Sequence, residues 1–338
     1  MSLIKFIIKR IIAIIPVLAG VLILTFFLSR MMPGDPVLGY LRGAGNPNLY
    51  RYYYHQLWLD RPIFVQFFKY ISDVFSGNWG YSVSIMMGQD VWSLIMLRLP
   101  RTIDIAIFSI LIAGFLGIKT GVLSAKYRNK PQDTILRFVA LIGVSIPVFY
   151  MGVMLQYSLG YVIPIFPAVG FKNIEYSDPE FISGFRIIDA FLTGKIYIIF
   201  DYLYHLILPI FCLSFITLAG ITRHTRSSML EVLEQDFIRT ARAKGCKEKD
   251  VIHKHALRNA LIPTTTIIGL SMTELLAGTV LIEYTFSLKG IGQLLVNAIF
   301  VADYWVINAL VFIISFIFVF INLVVDLLYA ILDPRIRY

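Results

Sequence analysis

The chain has 338 residues, of which 58% are hydrophobic and 15% charged, with a mean hydropathy of +0.75. Ordinary soluble domains carry about 25% charged residues, so that class is excluded and most of this chain is solvated by lipid. The net charge of +9 does not argue for nucleic acid, because the bases cluster beside apolar runs, where they set orientation or meet anionic lipid.

Lys5, Lys9 and Arg10 precede an apolar run at 11–28. It is long enough to span a bilayer, and no small-residue cleavage site follows it, so it reads as an uncleaved first helix with a cytoplasmic N-terminus. The first unit is therefore 1–29. Residues 30–101 form an external segment that is aromatic and interrupted by the turns PGDP (33–36) and GAGNPN (43–48). Its tyrosines and tryptophans predict a small cap at the membrane interface. Gly43 and Gly45 lack the strand and third glycine of a dinucleotide site.

The remaining unit, 102–338, holds five more predicted spans. In the second, 102–125, Gly114, Gly117 and Gly121 permit close approach of a neighbouring helix. The third, 134–165, contains SIPVF (145–149); Pro147 removes a backbone donor and predicts a kink. Pro147 and Phe149 then either pack or line a path. The fourth span is 201–222, with Pro209 inside it.

A polar, basic stretch at 223–263 follows. Met229, Leu230, Leu233, Phe237 and Ile238 recur at helical spacing, and Gly245 stands where that helix needs a left-handed residue. A second amphipathic run, 251–261, leads into Pro263. Alone, this stretch fits either a docking device or a solvated basic loop. The fifth span, 261–282, carries Glu274 on one helical face with Ser271 and Gly278. A charge at mid-membrane costs about 2.5–3.5 kcal/mol, so Glu274 either lines a cavity or finds a buried donor. Residues 283–303 are expected outside. The last span, 305–332, ends in LDPRIRY with Arg335 and Arg337. All the base-rich connections then fall on one side, with both termini cytoplasmic.

Cys212 in a span and Cys246 in the polar loop occupy different settings, which argues against a disulfide. His253 and His255 point to different faces of a helix, so no metal site is expected. Three function classes compete. An intramembrane enzyme needs a nucleophile–base set or a metal motif, and neither is present. A secondary transporter needs matched halves and several intramembrane charges, whereas these halves differ and Glu274 is nearly alone. A passive pathway moved from outside the membrane gives the basic stretch a purpose.

The residues that choose among these are DFIRTARAKG (236–245) followed by HALRNALIP (255–263). With PGDP, SIPVF, LILP (206–209), HTRSSMLEVL (224–233) and NLVVDLLYAILDPRIRY (322–338), they make the chain resemble, nearly end to end, the transmembrane subunits of ABC importers of the dipeptide/oligopeptide permease family. Two positions depart from the family's pattern: Arg239 stands where the general importer motif has an acid, and Leu288-Lys289 stand where Trp-Pro is common.

The resemblance implies an all-α membrane protein with six transmembrane helices and the type I ABC importer permease fold. It implies that Arg239, Thr240, Ala241, Arg242, Ala243, Lys244 and Gly245 form the EAA-type coupling element that docks on an ATPase subunit, with Ala241 and Ala243 small enough for a groove. Pro147, Phe149, Ser271, Glu274 and Gly278 are the expected translocation path. The implied partners are a second permease subunit, two ATP-binding subunits that hold ATP and magnesium, an external substrate-binding protein and the bilayer. No cofactor is expected in the chain, which has no Walker motif. Peptides are the implied cargo, with an oligosaccharide or a nickel chelate as alternatives.

Overall fold

The computed structural model describes residues 3–31, 35–41 and 47–332. Most of the PGDP and GAGNPN turns and the tail with Arg335 and Arg337 lie outside these residues. Among the described residues the chain is helical, and its one isolated bridge joins Tyr81 to Asp90.

The first helix, α1 (Leu3–Met31), includes the predicted first span. Three short helices follow: α2 (Pro36–Leu41), α3 (Pro47–Gln56) and α4 (Ile63–Phe75). Asp35 joins the first two of these by accepting from the Val37 amide at 2.8 Å and the Tyr50 hydroxyl at 2.6 Å. The apolar face of α4 lies on α1, where the rings of Phe26 and Phe67 meet edge-on at 5.2 Å and Thr25 Oγ1 stands 3.3 Å from Tyr70 Oη.

The second long helix, α5 (Val91–Lys126), starts well before Thr102. Asp90 caps it, accepting from the Ser93 amide and hydroxyl, both at 2.8 Å. Val91, Leu94 and Ile95 are fully buried against α1, α4 and the helices at the chain's end. The polar RLPR (98–101) hid this start, because its arginines interrupt an apolar face that continues beneath them.

The third span is broken rather than kinked. Helix α6 (Pro131–Ser145) and helix α7 (Val148–Leu155), which widens into a π turn at Gln156–Val162, meet at 99°. Ile146 adopts extended backbone before Pro147, as residues preceding proline are driven to do, and Pro147 begins the second half. Next come α8 (Arg186–Leu192) and α9 (Ile196–Leu233). The fourth span's helix thus continues far beyond Thr222, because Met229 and Val232 extend its buried stripe.

A break at Gln235 separates α9 from α10 (Asp236–Ala243), so Met229 and Ile238 belong to different helices and not to one. The chain then turns at Gly245 into α11 (Glu248–Asp250), a π turn at Val251–Ala256, and α12 (Leu257–Phe286), which runs on through Pro263. The second amphipathic run and the fifth span are one helix. The segment expected as an external loop contains α13 (Ile291–Phe300), four of its ten residues buried, before α14 (Tyr304–Leu332). Five helices among the described residues are long and apolar enough to cross a bilayer, six when the bent pair counts as one span.

The central contact is α5 against α9. A Cβ at Gly121 would lie 2.5 Å from Thr225 Cβ, and one at Gly117 would lie 2.7 Å from Ile221 Cγ2, so hydrogen is all that fits there. At Gly114 the nearest atom, on Ile268, is 3.8 Å away, and close approach does not depend on that glycine. Three apolar cores result. One joins α1, α4, α13 and α14 to the start of α5, a second holds α5, α7, α9 and α12 together, and a third underlies the basic corner.

Candidate functional site

Helix α10 lies across one end of the bundle. Ile238 is fully buried and Ala241 nearly so, both against Val122, Ala125, Met229, Val251 and Ile252. Ala241 therefore faces its own bundle, which corrects the expectation that its small side chain meets a partner's groove. Arg239, Thr240, Arg242, Ala243, Lys244 and Gly245 are exposed. Helix periodicity alone could have separated the two sets, since Ile238 and Ala241 are three residues apart on one face. Gly245 has φ +79° with nothing near its missing Cβ, so the corner demands glycine for backbone reasons and leaves outward space. Arg242 forks onto Glu248 across the corner at 2.8 and 3.2 Å. The hydrogen bonds it donates to that carboxylate raise the pKa of Arg242.

The spans beside this corner are joined by a buried carboxylate that the sequence pattern did not single out. Asp133, in the first turn of α6, is fully buried and accepts four hydrogen bonds: from Ser124 Oγ at 2.5 Å, the Asn129 amide at 3.0 Å, and Arg226 Nε and Nη2 at 2.8 and 2.9 Å. One side chain so joins α5, the 127–130 turn, α6 and the extension of α9. Arg128 adds an exposed pair with Glu234 at 2.7 Å.

The five residues expected along a path fall on two elements. Ser271, Glu274 and Gly278 share one face of α12, with Glu274 exposed and the other two partly covered. No partner of the Glu274 carboxylate stands among the described residues. Pro147 and Phe149 are exposed at the bend between α6 and α7. Helix α7 reaches α12 further along, at Gly152, where a Cβ would lie 3.1 Å from the Phe286 ring. Thr273, on the covered side of α12, donates to Asn322 Oδ1 at 3.2 Å and ties α12 to α14.

The opposite end of the bundle is organised by three more acids. Glu283, at the end of α12, accepts from Thr102 Oγ1 at 2.5 Å and from the amides of Gly292 and Gln293 at 2.8 and 3.1 Å, capping α13. Asp303 gathers the Ser82 hydroxyl at 2.6 Å and the amides of Val83, Ser84 and Ile85 at 3.0–3.2 Å, holding the cap segment on α14. Asp189 accepts from the Ser183 amide and hydroxyl at 2.7 and 2.6 Å and from the Gly184 amide at 3.0 Å. Burial pushes the Asp189 carboxyl up, but these hydrogen bonds outweigh it and hold its pKa below the usual range. The readable signal was an acid at the margin of an apolar run, which marks a helix terminus more often than a solvated loop.

Among the described residues no three His, Cys, Asp or Glu side chains are grouped to hold a metal ion. What remains is a lipid-solvated helical bundle with a rigidly seated, outward-facing basic corner. The family model for binding-protein-dependent transport system inner membrane components matches residues 117–338, and the model of that family's N-terminal part matches residues 3–106. The chain is 39% identical to the di/tripeptide transport system permease protein DppB of Pseudomonas aeruginosa, over 99% of each chain. It is 39% identical to the oligopeptide transport system permease protein AppB of Bacillus subtilis, over 98% of this chain and 99% of that one. It is 38% identical to the probable D,D-dipeptide transport system permease protein DdpB of Escherichia coli, over 95% and 94%. The protein is a multi-pass helical membrane protein that belongs to the family of binding-protein-dependent transport system inner membrane components.

Proposed function

We propose that this chain is half of the translocation pathway of an ATP-driven peptide importer in the plasma membrane of a bacterium or archaeon, with both termini in the cytoplasm. It pairs with a second, similar permease subunit. Two ATP-binding subunits, which hold ATP and magnesium, dock on the basic corner, and an external binding protein delivers cargo to the opposite end. The observation that carries this reading is the two-sidedness of α10: Ile238 and Ala241 are packed into the bundle while Arg239, Thr240, Arg242 and Lys244 face outward. A helix seated in this way moves with its spans as one body, and a basic outer face suits a groove with acidic walls. The peptide transport named for the relatives supports peptide as cargo.

In this mechanism ATP-driven closure of the ATPases pushes the α10 corner. The push enters α9 and α12 directly, and α6 through Asp133 and Arg226. Alternating access follows as rigid-body motion of the spans, with the broken third span as the place where the bundle yields. Reconstituted vesicles test this. Gly245→Trp places a large ring in space that is open within this chain, so it obstructs the partner and adds left-handed strain of about 1–2 kcal/mol. ATP-driven uptake is expected to fall at least about tenfold while the subunit stays inserted. Normal uptake would refute the lever.

The path residues are tested by thiol labelling. Glu274→Cys, on the exposed face of α12, is expected to react with water-borne reagents in the assembled transporter, as a wet path requires. Protection equal to that of lipid-facing controls removes Glu274 from the path. In the same experiment the native thiol of Cys246, exposed beside the corner, reacts only when the cytoplasmic side is open to the reagent. Reaction from the outside alone would reverse the orientation.

A further inference from the structure

Arg226 and Arg242 each have the Nε–Nη2 fork filled by a carboxylate, whereas that of Arg186 is empty. Nε and Nη2 of Arg226 are filled by the two oxygens of Asp133. Arg186, at the start of α8, is only 7% exposed, and among the described residues its Nε and Nη2 have no hydrogen-bond partner. Its Nη1 alone is engaged, by Asp178. A buried guanidinium with its bidentate edge unfilled is costly, because those donors have left water without replacement.

The surroundings favour a negative ligand. Arg101 Cζ, Arg186 Cζ and Lys289 Nζ lie 4.1, 5.5 and 6.0 Å from the centroid of one ring, that of Phe171. Three acids of this neighbourhood are already engaged. Asp178 also pairs with Lys172 at 2.9 Å, Asp104 accepts from Tyr202 Oη at 3.0 Å, and Glu283 is occupied by Thr102 and two amides. The residues between Phe171 and Arg186 form neither helix nor strand, and Asp178, which is half exposed, marks the side on which the guanidinium approaches solvent. Helix α5 separates this cluster from the basic corner, so it sits at the end where cargo arrives in the mechanism above.

We propose that the Nε–Nη2 fork of Arg186, backed by Arg101 and Lys289, is a carboxylate subsite that takes the C-terminal carboxylate of the cargo peptide as it enters. A planar carboxylate matches a guanidinium fork in two parallel hydrogen bonds. It would fill the two free donors while Asp178 keeps Nη1, so cargo entry needs the 171–186 segment to move aside without breaking that pair. The proposal rests on the peptide importer reading.

The test compares uptake of a tripeptide acid with uptake of the same tripeptide as its C-terminal amide, using the full assembly in vesicles. The external binding protein is common to all arms, so its own preference cancels in the ratio. Arg186→Met is expected to lower uptake of the acid about tenfold, the value of one charge-assisted pair, and uptake of the amide less than about twofold. Arg186→Lys keeps a cation without the fork and falls between; it also supplies the ratio where the methionine variant does not assemble. Equal losses for both peptides, or an unchanged ratio, overturn the subsite. Where the amide is not carried at all, a tripeptide acid with a photoreactive last residue decides. Crosslinks to 171–186 in the unaltered assembly support the subsite, and crosslinks elsewhere overturn it. If the unaltered assembly takes up neither peptide, it is the peptide reading that fails.

Discussion

Asp133→Ala will destabilise the folded subunit by about 3–5 kcal/mol, the usual cost of removing one partner of a buried ion pair. The carboxylate is fully buried and satisfies Ser124, the Asn129 amide and both fork nitrogens of Arg226. Its loss leaves a guanidinium that is only one-fifth exposed without its counter-ion, and a hydroxyl and an amide without acceptors. Removing both charges as Asp133→Leu with Arg226→Met should recover much of the loss, because no uncompensated charge then remains. Melting temperatures of the purified assembly in one detergent decide the matter. An Asp133→Ala variant within about 1 kcal/mol of the parent would mean that water already reaches this pair. A functional consequence follows from the joint's place between α9 and α6. In the mechanism proposed above, the double variant, though folded, should consume more ATP per peptide carried, since a push at α10 would no longer reach the bent span through a rigid contact.

Glu283→Ala will have a comparable effect at the other end. Three donors converge on this carboxylate, and each buried donor left without an acceptor costs about 1–3 kcal/mol. The packing leaves little tolerance, since a Cβ on Gly290 would lie 2.3 Å from the Glu283 carboxyl carbon. A total loss of about 3 kcal/mol or more is expected, together with loosening of α13 and of the left-handed turn at Ser287 and Lys289. Glu283→Gln keeps one acceptor oxygen and should retain part of the stability. Equal melting temperatures for the alanine and glutamine variants would show that the three donors find water instead. Because Lys289 belongs to this turn and also faces Phe171, the alanine variant should also blunt the carboxylate preference proposed above.

How far the fold was legible differs from place to place for identifiable reasons. The spans were readable because transfer into lipid is roughly additive along a helix, so a run such as 11–28 declares itself from composition. The starts of α5 and α12 were not, because polar residues there lie on faces that the bundle leaves open while the apolar face continues unbroken beneath. Pro147 was read correctly as a disruption, but its severity depends on whether neighbours hold the two halves in line. Here α6 packs on α9 while α7 leans on α12, and the chain turns through 99°.

The basic corner was readable through a motif whose spacing is local, and Gly245 through the handedness of one backbone angle. Local order puts Ile238 and Ala241 on one face of α10 but could not tell that this face is the inner one, which Met229 and Val251 on other helices decide. Nor could it pair Asp133 with Arg226, Glu283 with Thr102, or leave Arg186 with an empty fork. Residue order therefore carries the lipid environment, the six spans and the basic corner, because each depends on a residue and its near neighbours. The charge pairs, the broken span and the unfilled arginine arise only when distant helices meet, because electrostatic and hydrogen-bond energies depend on separations in space that linear order does not contain.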